Sequence, residues 1–167
     1  MLEVWRKRPT EEANLFNPAF LGSLLYEQSK EYLKHTSLGL PLTYASLCIS
    51  VVLHGPTRDR LPYSTVTSLY EWLQDNEDVQ IGLAARVQGV QPYLKEALRF
   101  GLRKNILVLS NGHSLIIGEV KAHFPAGFIR DTTAETKEII DRNKFMARWF
   151  AKSGSEASVI AAWGLRP

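Results

Sequence analysis

Apolar positions first recur along this chain with a helical period. Asn17 and Pro18 stand where an N-cap and a first helical residue belong. Phe20, Leu21, Leu24, Leu25 and Tyr32 then share one face, until the pattern fades near His35 before Gly39. From Leu42 to Leu53 nearly every position is apolar. The exceptions, Thr43, Ser46 and Ser50, are spaced three and four apart, a narrow stripe on a helix but both faces of a strand, so a largely buried helix is expected. A loop follows over 55–64. Val66, Leu69, Tyr70 and Leu73 form the next stripe, behind a cap at Ser64 or Thr65. Val79, Leu83, Val87 and Val90 make another, closing near Gly89. Pro92 then opens a third, with Tyr93, Leu94, Ala97, Leu98, Gly101 and Leu102 on its apolar arc.

The period changes after Lys104. Residues 106–110 and 113–117 are rich in Leu, Ile and Val and flank Asn111-Gly112, the pair that a two-residue type I′ hairpin turn requires. Residues 119–131 read as loop, Thr132-x-x-Glu135 as the capping box of a long helix, and Gly154 as its stop. Ser155 can cap a last short helix. The expected class is α+β, mainly α: one domain over 1–167, with an N-terminal helical part over 14–54 and a C-terminal helical extension over 132–167. Between them, 64–118 reads as a winged-helix-like unit with helices near 65–75, 77–89 and 92–104 and a wing at 106–118.

Composition narrows this picture rather than redirecting it. Hydrophobic residues make up 45% and charged residues 22%, the balance of an ordinary globular protein. The single cysteine, Cys48, excludes an internal disulfide and a cysteine-rich zinc site, and its apolar neighbours make it a core residue. Charge follows the opening Met1 to Arg6 where a leader would be apolar, and no stretch is apolar enough to span a bilayer, so a soluble cytoplasmic protein is expected. The net charge of +3 is uneven: residues 1–90 hold eight Lys/Arg and ten Asp/Glu, whereas 91–152 hold eleven and six. A basic surface on the second half, facing an acidic partner, is one reading; a solvated lysine-rich face is the other.

Lys95, Arg99 and Arg103 recur every four residues, with Lys104 behind them. In a winged helix the third helix enters the DNA groove. Such a row can track phosphates, but with no Asn or Gln in it there is little to read bases. A second row, Lys144, Arg148 and Lys152, runs opposite Ile139, Met146 and Phe150, interrupted by Asp141. Asn143 falls in the apolar stripe, where a buried, hydrogen-bonded side chain is expected. The loop His54 to Pro62 is the densest polar cluster: His54 would end a helix as a cation beside its carbonyls, while Thr57, Arg58, Asp59 and Arg60 precede Leu61 and Pro62. As an active site it offers a base, cations and a carboxylate; as structure, an aspartate tied to an arginine. Phosphate-cradle, metalloprotease and nucleophile-elbow motifs are absent, and His35, His54, His113 and His123 have no ligand-like spacing. Neither a metal, a cofactor nor a catalytic activity is expected.

The segments Asn14-Leu15-Phe16-Asn17-Pro18-Ala19-Phe20, His54-x-x-Thr57-Arg58-Asp59-x-Leu61-Pro62, Arg148-Trp149-Phe150-Ala151 and Gly164-Leu165-Arg166-Pro167 resemble, in this order, the middle component of prokaryotic three-component ABC systems. The resemblance implies a non-catalytic accessory subunit beside an SMC-like ABC ATPase and an effector, in conflict or anti-phage systems akin to the Lamassu type. It also implies that Thr57, Arg58, Asp59, Leu61 and Pro62, with Gly164 and Arg166, face a partner or define the fold. DNA, contacted without sequence preference within the complex, is a further expected partner; a free-standing winged-helix DNA-binding regulator is the alternative.

Overall fold

The computed structural model describes residues 2–166. A 3-10 turn at Trp5–Lys7 precedes helix α1 (Thr10–Leu15), which leads into α2 (Pro18–Thr36). The Asn17 side chain accepts the amides of Ala19 at 2.8 Å and Phe20 at 3.4 Å, the N-cap that the sequence places there. Strand β1 (Leu40–Pro41) runs directly into α3 (Leu42–Val52). The hydroxyls of Ser46 and Ser50 donate one turn back, to the carbonyls of Leu42 at 3.1 Å and Ser46 at 2.7 Å. Their polarity is thus satisfied within a helix whose Leu47, Cys48, Ile49, Val51 and Val52 are fully buried.

There follow α4 (Gly55–Arg58), α5 (Leu69–Asp75), a 3-10 turn at Glu77–Gln80, α6 (Leu83–Arg103), β2 (Leu107–Ser110), β3 (Ser114–Ile117), α7 (Ala126–Asp131), α8 (Ala134–Ala151) and α9 (Glu156–Ala162). The α+β, mainly α class holds. α2 lies against α6 and α8, and α3 against the same two helices. Polar side chains cross the α2–α8 interface: Gln28 donates from its amide to the Asn143 oxygen, and Asn143 donates to the Leu24 carbonyl at 2.9 Å. Both side chains are fully buried, so this pairing fixes the α2–α8 register within an otherwise apolar contact. Aromatic rings close the other end of α8, with Trp72 centred 5.6 Å from Trp149 and 6.0 Å from Trp163.

Several expected boundaries move. In place of helices over 77–89 and 92–104 there is a 3-10 turn at Glu77–Gln80 and then one helix, α6, with Pro92 inside it. Pro92 and Gln88, whose carbonyl loses its donor, both lie on the exposed side, where the freed carbonyl is open to solvent. The buried stripe Leu83, Val90, Leu94, Ala97 and Gly101 continues past the proline unbroken. α5 starts later than its stripe implied: Ser68, not Ser64 or Thr65, accepts the Glu71 amide, and Val66 points into solvent. Thr133 rather than Thr132 caps α8, accepting the Thr136 amide at 3.1 Å. Short helices α4 and α7 occupy stretches read as loop.

The hairpin forms where expected, with Asn111 at φ 52° and Gly112 at φ 76°. Its ladder pairs Ser110 with Ser114, however, so His113 joins the turn and the loop has one residue more than the sequence implied. The hairpin is also not a free wing. β3 pairs on its other edge with β1, Leu40 opposite Leu115, giving a three-stranded antiparallel sheet ordered β1-β3-β2 that covers one end of α2.

Candidate functional site

The cluster from His54 to Pro62 is built largely into the fold. One turn of helix, α4, buries Thr57 and Arg58 and leaves Asp59 and Arg60 exposed. The Arg58 guanidinium donates to the Val52 carbonyl at 3.0 Å and to Glu135 at 3.2 Å, and its Nε lies 3.5 Å from Asp59. It therefore fastens the end of α3 to the first turn of α8. Glu135, expected to complete a capping box, is spent on this contact. Arg60 forks onto Asp78, with Nη2 2.9 Å from Oδ1, and Asn76, while Leu61 is buried and the Pro62 carbonyl accepts Arg142 at 2.8 Å.

His54 does not serve as a cation at a helix end. α3 stops at Val52, and His54 is the N-cap residue of α4, its Nδ1 2.8 Å from the Thr57 hydroxyl. Partial burial, then Arg86 and Arg58, lower its pKa below the ordinary imidazole value, which favours the neutral ring. Burial pushes the Cys48 thiol well up and keeps it protonated. Among the described residues, no three His, Cys, Asp or Glu side chains converge as metal ligands, and no helix is long and apolar enough to cross a membrane.

The two basic rows fare differently. On α6, Lys95, Arg99, Arg103 and the following Lys104 are all exposed, and none forms an ion pair with an acid among the described residues. Arg99, Arg103 and Lys104 line a shallow groove with Pro18, Glu96 and Phe100. Glu96, the one acid there, is already held: buried Arg8 reaches it with both terminal nitrogens, at 2.8 and 3.0 Å. On α8, by contrast, Lys144 lies 3.9 Å from Glu27 and Arg148 3.5 Å from Glu31, both on α2, and Lys152 donates to the Thr65 hydroxyl at 3.1 Å.

Gly164 ends α9 at φ 73°. The Leu165 amide returns to the Ile160 carbonyl at 3.1 Å and the Gly164 amide to Ala161 at 2.9 Å, a paired closure that requires the left-handed conformation. Any residue with a Cβ is strained at this φ, which is why a glycine suits the position. Arg166 is exposed, and Pro167 lies outside the described residues. The sequence reading overlooked Arg8, Glu27 and Glu31, whose roles depend on partners far along the chain. It also overlooked that Tyr63 and Val66 are exposed.

No curated protein and no solved structure matches the chain. A family model does: Middle Component 3 of the ABC-three component (ABC-3C) system matches residues 5–167, and the chain belongs to that family.

Proposed function

We propose that this middle component is a non-catalytic subunit that joins an SMC-like ABC ATPase to an effector in the cytoplasm, in a system acting against phage or plasmids. In that assembly it holds the exposed side of α6 against nucleic-acid phosphates. Family membership supports the assembly, since a middle component implies partner components. One observation carries the nucleic-acid reading: Lys95, Arg99, Arg103 and Lys104 stay exposed and unpaired by acids among the described residues, while Lys144 and Arg148 of α8 meet acids of α2. Point charges without amide side chains among them favour binding that ignores sequence.

Duplex DNA binding by the assembled complex and by the isolated chain, followed across a salt series, tests this. The complex should bind with a steep inverse salt dependence and equal affinity for unrelated sequences. Tight sequence-specific binding by the isolated chain would instead support a free-standing regulator. Binding by the complex that is insensitive to Arg99→Glu would remove α6 from the interface.

A further inference from the structure

The N-terminal arm, residues 3–8, is fastened to α6 by Arg8. Val4, Trp5, Arg6 and Lys7 are exposed, whereas Arg8 is buried. Its Nε donates to the Glu3 carbonyl at 3.0 Å, which folds the arm back on itself. Both terminal nitrogens donate to the Glu96 carboxylate, at 2.8 and 3.0 Å, the fork that makes an arginine–carboxylate pair strong and directional. The Trp5 and Tyr93 rings lie beside the guanidinium, their centres 5.5 and 5.8 Å away.

Where Glu96 stands gives this clamp a second consequence. Glu96 lines the shallow groove of α6 together with Arg99, Arg103 and Lys104, and it is the one acid among the described residues that do so. Residues three apart on a helix are neighbours, so an unclamped Glu96 carboxylate would be within reach of Arg99. It would also repel a phosphate entering the groove. Arg8 removes both effects: Glu96 is turned to the arm and neutralised there, and Arg99, Arg103 and Lys104 remain without an acid partner. The charge of the groove is thus set by a residue 88 positions away in sequence, on a segment that does not line it. We infer that Arg8 is a positioning residue for phosphate binding: seated on Glu96, it keeps that acid off Arg99 and leaves Arg99 free for nucleic acid. The arm acts as a charge mask, and its release leaves the groove one cation poorer. This inference rests on the nucleic-acid reading given above.

Its test uses the assembled complex, with duplex DNA binding followed across a salt series and the folding of each variant checked by thermal melting. Arg8→Met should lower the log–log salt slope by about one, because the freed Glu96 takes Arg99 from a phosphate. Adding Glu96→Gln to that variant should restore slope and affinity, although the arm stays unfastened. A role of Arg8 confined to holding the arm would not be rescued in this way. Glu96→Gln alone should bind more tightly than the wild type, since every cation is kept and the acid is gone. Should Arg8→Met fail to fold, Glu96→Gln alone decides. An unchanged slope in Arg8→Met, no rescue in the double variant, or equal or weaker binding by Glu96→Gln would each overturn the inference and leave the nucleic-acid reading standing. Absence of salt-dependent binding by the wild-type complex would overturn that reading, and this inference with it.

Discussion

Two rows of cations with the same four-residue spacing lie on α6 and α8, and they meet opposite surroundings. Lys144 and Arg148 sit half-buried beside α2, where Glu27 and Glu31 rise to meet them. Lys95, Arg99 and Arg103 face solvent, and the nearest acid, Glu96, is engaged by Arg8. Spacing decides which side chains share a helical face. What that face meets is decided by another part of the chain, more than a hundred residues away in the case of Arg148 and Glu31. The same residue type therefore serves cohesion in one row and leaves charge to spare in the other.

This contrast can be broken by substitution. Replacing Lys95, Arg99 and Arg103 together by Gln should lower the log–log salt slope of DNA binding by the complex by about three, one for each phosphate left without its cation. Chemical denaturation of the same variant should stay within about 0.5 kcal/mol of the wild type, as expected for exposed substitutions. A markedly lower stability would show that the α6 row supports the fold after all. Arg58→Met should act in the opposite sense, costing about 2–3 kcal/mol because it strips the Val52 carbonyl and Glu135 of their partner, with the salt slope of DNA binding unchanged.

A smaller loss, about 1 kcal/mol, is expected from Lys144→Met with Arg148→Met, which leaves buried Glu27 without its cation and half-buried Glu31 facing only His35. If DNA binding fell as far as it does in the α6 variant, the two rows would be equivalent and the contrast would fail. The smallest effect comes from pH. His54 has a folded-state pKa held below the ordinary value by burial, Arg86 and Arg58. The unfolded chain therefore takes the proton first, so stability is complete above about pH 6.5 and declines as pH falls below it. Denaturation midpoints at two pH values should show a shallow decline that His54→Gln flattens.

Local chemistry was legible in the sequence at several places where the partner lies within a turn or two, although the caps of α5 and α8 fell on Ser68 and Thr133 instead of the expected residues. Asn17 before Pro18, Ser155 before α9, and Asn111-Gly112 between two β-rich runs all act where their spacing places them. Pro92 misled because its helix-breaking cost falls on the solvent side of α6, while the apolar stripe continues on the other. Arg8 shows the opposite limit. Its partner is Glu96, and nothing near residue 8 marks it as a buried clamp rather than one more basic residue of the N-terminal segment. The exposure of Tyr63 was equally hidden, since it follows from donors on α8 that fix the loop at Pro62 and Thr67, and the stripe containing Val66 pointed inward.

The Gln28–Asn143 pairing across α2 and α8 has a consequence for how the chain is made. It joins residues 115 positions apart, and the apolar face of α2 around it has no full cover until α8 is present. Emerging from the ribosome, α2 and α3 therefore expose their leucines and valines until the last quarter of the chain has been synthesised. Closure is then a late, long-range step, slow in the way that distant contacts make folding slow. A nascent chain arrested before Ala134 would display that open face to holding chaperones. The basic side of α6 and the Arg8 clamp upon it would become a stable pair only after translation had passed it.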